Sequence, residues 1–396
     1  MRIALVVPEL HTHGGTERCV AALGQALVRR GHHVSVFARS CDRQALPGAP
    51  WYRVPLIPRP NAVRFASFLV MNAVVRWWAR VVRGARFDVV HSTGPDVLRP
   101  DVTTFHSCSA AFARRLVEGP AEPAWQRWPR LRRLSNIAAY RVIAACERYV
   151  LCRGARRVLA VSSTLARELG QFHPIPPGRV TVVHNGVEPR EFHVAGDARA
   201  RQVRRDLGID DGRPVLLFVG HNWARKGLGT LVEALASMGV ALPDRRPWLL
   251  VAGGQGTPSY EREVTGRLAG AVRFLGTRTD MARLYAAADL LVLPTTHEPF
   301  GLPVVEAMAS AVPVVVSRCA GVAELIEDGV SGVLLDDPAS VGELAGTLGR
   351  LLADPAACRA MGQRGRAAVE RLTWDEVARQ VEATYADLVG RRLGAP

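Results

Sequence analysis

The sequence predicts an α/β protein made of two doubly wound parallel sheets, each with its own core. Short Val/Leu/Ile runs alternate with helical patterns from end to end, which is typical of parallel strands buried on both faces. The runs form two series, and 396 residues are enough for two domains. Apolar residues make up 48% of the chain and charged residues 22%, which is a globular composition.

The first series of predicted strands lies in residues 1–186. Its runs are RIALVV (2–7), HHVSVFA (32–38), FDVVHST (87–93), RVLAVSS (157–163) and VTVVHNG (180–186), with a helix over TERCVAALGQALVRRG (16–31). The second series lies in residues 201–373. Its runs are PVLLFVG (214–220), PWLLVAGG (247–254), VRFLG (272–276), LLVLPT (290–295), VPVVVS (312–317) and VSGVLLD (330–336). Strands alternating with helices predict an open parallel sheet in each series.

A polar segment without periodicity, NGVEPREFHVAGDARA (185–200), lies between the two series, and we place the linker at 187–200. WDEVARQVEATYADLVGRR (374–392) predicts one amphipathic helix, and we expect 374–396 to pack back on the first domain. Ligands of open parallel sheets bind at the carboxyl ends of the strands. The expected active site is therefore the cleft between the two domains.

Charge is distributed unevenly along the chain. Residues 1–200 hold 29 Arg and 13 acids, and residues 201–396 hold 22 basic residues and 23 acids. A basic first half predicts an anionic partner. Nucleic acid is not expected, because the basic segments lack a recognisable binding motif. Seven Cys without a CxxC pair predict free thiols. No signal peptide or membrane span is apparent, so we expect a cytoplasmic protein on the inner face of the plasma membrane.

Two segments could contact that membrane. NAVRFASFLVMNAVVRWWARVVRGARFD (61–88) predicts a helix with Arg76, Arg80 and Arg83 on one stripe, and WQRWPRLRRL (125–134) adds two Trp and four Arg. Basic residues beside Trp indicate a helix in the headgroup plane. The alternative is that the apolar side of 61–88 is ordinary core and its Arg stripe is solvated.

The loop FVGHNWARKGLG (218–229) contains Lys226, the only lysine in the chain. Arg225 and Lys226 precede a predicted helix start, where oriented amides and the helix dipole favour an anion. Arg grips phosphate oxygens in a planar fork, and Lys supplies a compact charge. The loop therefore predicts a diphosphate site, unless Lys226 is a compositional accident. HTHGGTER (11–18) offers Gly14 and Gly15 for close backbone approach to an anion or a sugar, or it forms a plain tight turn.

HEPFGLPVVEAMAS (297–310) follows a predicted strand and places Glu298 in a loop and Glu306 in the following helix. Carboxylates accept pairs of hydrogen bonds from vicinal hydroxyls, and the amides of Phe300, Gly301 and Leu302 could bind a phosphate. The alternative is that Glu306 complements the helix dipole and Glu298 is solvated.

Taken together, these motifs resemble those of the retaining GT-B glycosyltransferases of family 4, the glycosyl transferases group 1. The matching features are Glu298-x7-Glu306, Arg225-Lys226-Gly227, the Gly14-Gly15 loop and the turn VVHNGVEPREF (182–192). The resemblance covers nearly the whole chain and is nearest to the bacterial lipopolysaccharide-core α-glucosyltransferases. It implies two Rossmann-like domains, an N-terminal one for the acceptor and a C-terminal one for a nucleotide-sugar donor.

The resemblance also implies roles for individual residues. Arg225 and Lys226 would neutralise the leaving diphosphate, Glu306 would bind the ribose and Glu298 the donor sugar. The base pocket would be VRFLGTR (272–278), including Arg273 and Phe274, and would bind the base largely through backbone atoms. Asp101 or His106 would lie beside the reacting sugar, and we expect Asp101 to contribute more to turnover.

The resulting expectation is a hexosyltransferase that needs neither metal nor cofactor and uses a nucleotide diphosphate sugar, most simply UDP-linked. Its acceptor would be an envelope glycolipid or polysaccharide intermediate. Two alternatives remain open at this point: a sugar-nucleotide epimerase on the same fold, and a non-catalytic nucleotide-sugar-binding membrane scaffold.

Overall fold

The computed structural model describes residues 1–12, 14–118, 130–241, 246–254 and 256–393. These residues form two compact units. The N-terminal unit contains the described residues up to 186 together with 374–393, and the C-terminal unit contains those of 187–373.

The N-terminal unit is built on parallel strands that alternate with helices. Its strands are β1 (Arg2–Val6), β2 (Glu9–Leu10), β3 (His33–Ala38), β4 (Ser40–Cys41), β5 (Trp51–Arg53), β6 (Val89–Thr93), β7 (Val102–Phe105), β8 (Arg157–Ala160) and β9 (Val180–Val182). Its helices are α1 (Thr16–Arg29), α2 (Asn61–Val81), α3 (Ser109–Glu118), α4 (Arg130–Tyr149), α5 (Ser163–Phe172) and, last in the chain, α14 (Trp374–Leu393).

The main sheet of this unit has the order β5-β3-β1-β6-β7-β8-β9, and neighbouring strands are parallel throughout. Strand order reverses between β1 and β6, so this pair forms the topological switch point where ligands of such sheets bind. Buried Phe68 and Ala79 of α2 join Val6, Phe37 and Val90 of the sheet in one apolar cluster. That packing fixes the inner face of α2 above the switch point.

The helix α14 packs on this same unit. Tyr385 is fully buried, and its hydroxyl lies 2.5 Å from Nδ1 of His91 on β6. At the surface, Asp375 accepts a hydrogen bond from Arg29 of α1, and Asp387 accepts one from Arg157 of β8. Buried aromatic packing therefore supplies the attachment, because exposed ion pairs contribute at most about 1 kcal/mol each.

The C-terminal unit repeats the architecture. Its strands are β10 (Val215–Val219), β11 (Trp248–Ala252), β12 (Val272–Gly276), β13 (Leu290–Leu293), β14 (Val314–Ser317) and β15 (Val333–Leu335). Its helices are α6 (Asp197–Asp206), α7 (Trp223–Lys226), α8 (Leu228–Ala241), α9 (Pro258–Arg267), α10 (Met281–Ala287), α11 (Leu302–Ala309), α12 (Val341–Ala353) and α13 (Pro355–Val369). The parallel strand order is β12-β11-β10-β13-β14-β15, so the switch point lies between β10 and β13.

The predicted fold class, two Rossmann-like parallel sheets, is confirmed. Each apolar run listed in the sequence coincides with a strand, which is the same length as the run for β12 and shorter than the run, by up to four residues at one end, for the others. The strand β7 was missed because its sequence, Val-Thr-Thr-Phe, is short and half polar. The predicted linker 187–200 overlaps α6, which begins at Asp197. Among the described residues, no helix combines the length and apolarity that crossing a bilayer requires.

Candidate functional site

The conformation of the loop that follows β10 is fixed by a side-chain cap and by a glycine. The Asn222 side chain accepts a hydrogen bond of 3.0 Å from the Arg225 amide and so caps the single turn α7. Gly227 ends the turn in the left-handed region, at φ +81°, and a Cβ there would lie 1.9 Å from the Pro294 carbonyl oxygen. Only glycine fits such a position. The glycine therefore lets the loop after β10 contact the loop after β13.

Lys226 is buried between these two loops, with its side chain only 9% exposed. Its stem packs on Gly220, where a Cβ would lie 2.9 Å from the Lys226 Cγ. The ammonium forms an ion pair with the carboxylate of Glu298, and Arg225 Nη1 lies 3.8 Å from the same oxygen. The sequence prediction thus placed Arg225, Lys226 and Glu298 at one site, and the structure brings them together.

Burial lowers the pKa of the Lys226 ammonium, and the neighbouring Arg225 guanidinium acts in the same direction. The Glu298 carboxylate opposes both effects, because an anion in contact favours the charged amine. Two cations and one carboxylate lie together at the switch point of this sheet. The positive charges of Arg225 and Lys226 would favour an anionic ligand there.

The loop after β13 is fixed by main-chain hydrogen bonds. The Glu298 and Phe300 carbonyls accept from the amides of Gly321 and Val322 at 2.8 and 2.7 Å. Gly301 has φ +116° and precedes Leu302, the first residue of α11. The first amides of a helix have no intrahelical acceptor. The loop that carries Glu298 thus leads directly into these first amides of α11.

Glu306 is 3% exposed on α11, and its Oε2 accepts a hydrogen bond of 2.8 Å from the buried Tyr285 hydroxyl. Tyr285 lies on α10 and was missed by the sequence reasoning. A Tyr within an ordinary helical pattern gives no signal of such a partner. The hydrogen bond fixes the rotamer of a carboxylate that the sequence assigned to ribose.

The predicted base pocket, which would use mainly the backbone of 272–278, stays a prediction, and two of its side chains lie in different places. Phe274 packs against Trp223, with ring centroids 5.5 Å apart, and Trp223 Nε1 donates to the Gly253 carbonyl at 2.9 Å. The Arg273 side chain instead lies over Trp248 at the amino end of β11, 4.5 Å from the ring centroid. Its guanidinium donates to carbonyls at the start of β12. The side chain of Arg273 is therefore excluded from a pocket at the carboxyl edge.

In the N-terminal unit, Gly14 and Gly15 lead into α1 after β1, at the carboxyl edge of the sheet. Gly14 has φ +81°, and a Cβ there would lie 2.8 Å from Oε2 of Glu17. No described atom lies within 4 Å of a Cβ added to Gly15. His13 lies outside the described residues. A role of the two glycines in binding an anion or a sugar stays a prediction.

Asp101 and His106 lie at opposite edges of the N-terminal sheet. Asp101 precedes β7, and its Oδ2 accepts a hydrogen bond of 2.9 Å from the Val90 amide near the start of β6. His106 follows β7 at the carboxyl edge. At a rise of about 3.3 Å per residue, the two residues are roughly 16 Å apart along the strand. The preference for Asp101 drawn from the resemblance stays a prediction, and this placement favours His106 as the residue at the ligand-binding edge.

Burial lowers the pKa of His106 to about 4, so its imidazole is neutral at pH 7. His106 borders a small cavity of about 20 Å³ together with His91, Thr104 and His184. His91 is held by Tyr385 on one ring nitrogen and by the Thr104 hydroxyl, at 2.8 Å, on the other. The neutral His106 can therefore accept or donate one hydrogen bond at this edge.

A buried trio of Cys108, Glu147 and His173 has the residue types of a metal site, with ligand atoms within 4.8 Å of one another. Glu147 already accepts hydrogen bonds from His173 at 2.8 Å and from the Ser109 and Ala110 amides at 2.8 and 3.3 Å. These contacts make it a cap for α3. The prediction that no metal is needed stays a prediction.

The outer face of α2 differs from the predicted stripe. Arg80 and Arg83 are exposed, but Arg76 is half-buried and its Nε donates to the buried Asn72 side chain at 3.3 Å. Burial and the neighbouring Arg80 lower the pKa of Arg76 to about 10. The exposed face instead carries apolar side chains: Val63, Val70, Val74, Trp77, Trp78, Val81 and Val82. Trp125 and Trp128 of the second predicted segment lie outside the described residues.

Comparisons with known proteins decide the family. The sequence model for "Glycosyltransferase Family 4" matches residues 13–191, and that for "Glycosyl transferases group 1" matches residues 213–354. A D-inositol 3-phosphate glycosyltransferase of Acidothermus cellulolyticus is 31% identical over 99% of this chain and 89% of its own. The chain belongs to glycosyltransferase family 4.

Solved structures of similar fold agree with this assignment. WaaG, a glycosyltransferase involved in lipopolysaccharide biosynthesis, superposes with a TM-score of 0.78 at 23% identity, over 98% of this chain and all of its own. HepE of Anabaena, solved in complex with UDP-glucose, has a TM-score of 0.74 at 20% identity over 98% of this chain and all of its own. Both similarities show the GT-B fold. The chain is therefore a glycosyltransferase on that fold.

Proposed function

We propose that this glycosyltransferase transfers a hexose from a nucleotide diphosphate sugar, most simply a UDP-sugar, with retention of configuration and without a metal. The observation that most strongly supports this proposal is the cluster of Arg225, Lys226 and Glu298 at the switch point of the C-terminal sheet. Fixed cations and the positive end of a helix dipole stabilise a leaving diphosphate as charge develops on it. Retention rests on the family resemblance.

Donor binding would rearrange the ion pair. The diphosphate competes with Glu298 for Lys226, because both are anions that seek the same buried ammonium. Once displaced, the Glu298 carboxylate is available to accept hydrogen bonds from the hydroxyls of the donor sugar. Glu306, held by Tyr285, is assigned to the ribose. The site thus exchanges an internal ion pair for contacts to the two ends of the donor.

The transfer step needs a hydroxyl of the acceptor on the same face of the sugar as the leaving phosphate. The acceptor oxygen forms a bond to the anomeric carbon as the bond from that carbon to the phosphate oxygen breaks. The departing phosphate takes the hydroxyl proton, so no protein base is required. His106, neutral at pH 7, would orient the reacting sugar by one hydrogen bond.

We propose an envelope glycolipid or polysaccharide as the acceptor, presented at an anionic membrane on its inner face. The exposed side of α2 supports this: Trp77 and Val81 are 61% and 63% exposed, and Arg83 lies over the Trp78 ring at 5.2 Å. A single apolar helix face with flanking cations is suited to the headgroup region of a bilayer. The relative's name, D-inositol 3-phosphate glycosyltransferase, makes a soluble polyol phosphate the second acceptor to test.

The test is a screen of nucleotide sugars by release of the free nucleotide, with and without a chelator, followed by NMR of the product. An α-linked product from an α-linked donor, formed in the presence of the chelator, supports the proposal. Inversion at the anomeric carbon, or loss of activity with the chelator, would contradict it. Interconversion of donor sugars without transfer would indicate an epimerase, and donor binding without turnover would indicate a scaffold.

A further inference from the structure

Three side chains of the kinds that bind metals meet in the interior of the N-terminal unit: Cys108, Glu147 and His173. They come from three different elements, because Cys108 precedes α3, Glu147 lies near the end of α4 and His173 follows α5. All three residues are buried, and their ligand atoms lie within 4.8 Å of one another. The fold therefore brings a thiol, a carboxylate and an imidazole to one point.

The charge of Glu147 requires a positive partner at this point. Its side chain is fully buried, and a buried charge is costly unless it is paired or binds a metal. Among the described residues, its one ion-pair partner is His173, whose Nε2 lies 2.8 Å from the Glu147 Oε1. An imidazole supplies positive charge only when it is protonated. A divalent cation would supply that charge permanently.

The distances between the ligand atoms are close to those of a tetrahedral zinc site. With bonds of about 2.0–2.3 Å, the ligands of such a site lie roughly 3.3–3.6 Å from one another. The Cys108 Sγ already lies 3.6 Å from the Glu147 Oε1, and the His173 Nε2 lies 2.8 Å from the same oxygen. Only the distance between the imidazole and the carboxylate has to widen, by roughly 0.5 Å.

Metal binding is compatible with the role of Glu147 as a cap for α3. Its Oε2 accepts a hydrogen bond of 2.8 Å from the Ser109 amide. Its Oε1 faces Cys108 and His173 and accepts only a longer bond, of 3.3 Å, from the Ala110 amide. A hydrogen bond to a ligating carboxylate orients it toward the metal. Oε1 can thus bind an ion while Oε2 keeps the cap.

We propose that Cys108, Glu147 and His173 bind one Zn²⁺ ion through Sγ, Oε1 and Nε2, with a water molecule as the fourth ligand. Thiolate and imidazole suit zinc, whereas Ca²⁺ and Mg²⁺ take oxygen ligands. The ion replaces the thiol proton, which passes to solvent, and the neutral imidazole carries its proton on Nδ1. The site links α3, α4 and α5, so its role is structural and separate from the transfer step.

The experiment titrates the full chain, reduced and stripped of metal with a chelator, first with Co²⁺ and then with Zn²⁺. One equivalent of Co²⁺ should give the absorption bands of a tetrahedral, thiolate-bound ion, and one equivalent of Zn²⁺ should abolish them. Zn²⁺ should also raise the melting temperature, because a ligand of the folded state stabilises it. Cys108→Ser and His173→Gln should each weaken Zn²⁺ affinity by more than about 100-fold, since a direct ligand contributes more than an outer hydrogen-bond partner.

The matched control is Cys358→Ser, which changes another buried thiol, on α13 of the C-terminal unit. It should keep the cobalt spectrum and the Zn²⁺ affinity of the wild type. UDP affinity and the melting temperature of the metal-free variants show whether they fold. If one ligand variant does not fold, the other decides, and the thiolate-to-cobalt band of the wild type needs no variant.

Failure of the wild type to bind one equivalent of tetrahedral Co²⁺ overturns the proposal and leaves the trio as a hydrogen-bonded cap. Equal Zn²⁺ affinity in the wild type and the ligand variants overturns it as well. Turnover with and without the chelator is also compared between the wild type and Cys108→Ser. An effect of the chelator that persists in Cys108→Ser belongs to the transfer step, so the zinc site and the metal-free transfer are tested separately.

Discussion

The two switch points of this enzyme have the same topology and are lined by different sets of side chains. In the C-terminal unit, the loops after β10 and β13 bury an ion pair and place a second cation 3.8 Å from it. In the N-terminal unit, the loops after β1 and β6 border a cavity lined by one buried carboxyl, two amides, the side chains of Arg64 and Arg132, and aromatic side chains. Switch points of parallel sheets are where ligands of such folds bind. The side chains that line each one decide which ligand it could accept.

The largest effect is expected at His106. His106→Ala should lower turnover by roughly 10²-fold, because loss of its hydrogen bond would misplace the reacting sugar. Asp101→Ala should reduce turnover far less and instead lower the melting temperature, because the Val90 amide loses its acceptor. Steady-state kinetics and calorimetric melting of both variants check this. A nearly inactive Asp101 variant beside an active His106 variant would restore the preference drawn from sequence.

The next effect concerns the ion pair. Lys226→Met should reduce the free energy of unfolding by about 3 kcal/mol, because Glu298 is left buried with only Arg225 near it. Adding Glu298→Gln should recover most of that loss, since the double variant contains no unpaired charge. Urea unfolding of the wild type, both single variants and the double variant completes the cycle. Additive effects would mean that the pair is not energetically coupled.

A substitution at Gly227 tests the backbone geometry of the site without changing its charge. Gly227→Ala should destabilise the fold by roughly 2 kcal/mol or more, because φ is +81° and the added Cβ overlaps the Pro294 carbonyl. Gly229→Ala is the control, two residues later on α8, where a Cβ meets nothing within 4 Å. It should stabilise the helix by about 0.5–1 kcal/mol. Equal effects of the two changes on thermal unfolding would refute the close approach of the loops.

The smallest effect is expected on the outer face of α2. Arg80→Gln with Arg83→Gln should weaken co-sedimentation with anionic vesicles by about 1 kcal/mol per charge at low salt. The control is the double variant Arg199→Gln with Arg201→Gln, which changes two exposed Arg residues of the C-terminal unit. It should have little effect on co-sedimentation. UDP affinity should not change in either double variant. Failure of the wild type to bind anionic vesicles at low salt would contradict membrane docking.

The sequence predicted the strands well because both faces of each parallel strand are buried, which produces continuous Val/Leu/Ile runs. It also brought Arg225, Lys226 and Glu298 to one site, because the carboxyl ends of neighbouring strands share an edge. It could not predict that Lys226 and Glu298 pair with each other, since that depends on the close approach at Gly227.

Other features of the site could not be predicted for a physical reason. Arg273 and Asp101 were assigned from the resemblance, whereas strand position decides which edge of the sheet a side chain reaches. On α2, the sequence predicted a helical stripe but not which side of the helix faces the core. Asn72 is buried and donates to the Asp96 carbonyl, and Phe68 packs inward with the apolar cluster. Apolar residues lie on the outer side as well, as Trp77 and Val81 show.

The central claim is that Glu298 and a donor diphosphate compete for Lys226 while Glu306 holds the ribose. Calorimetric titration of UDP tests this most directly, because UDP contains the diphosphate and the ribose but no transferred sugar. We predict that Glu306→Gln weakens UDP binding by roughly tenfold or more, since a charged acceptor is lost. Glu298→Gln should bind UDP at least as tightly as the wild type. Equal weakening by both variants would contradict the account.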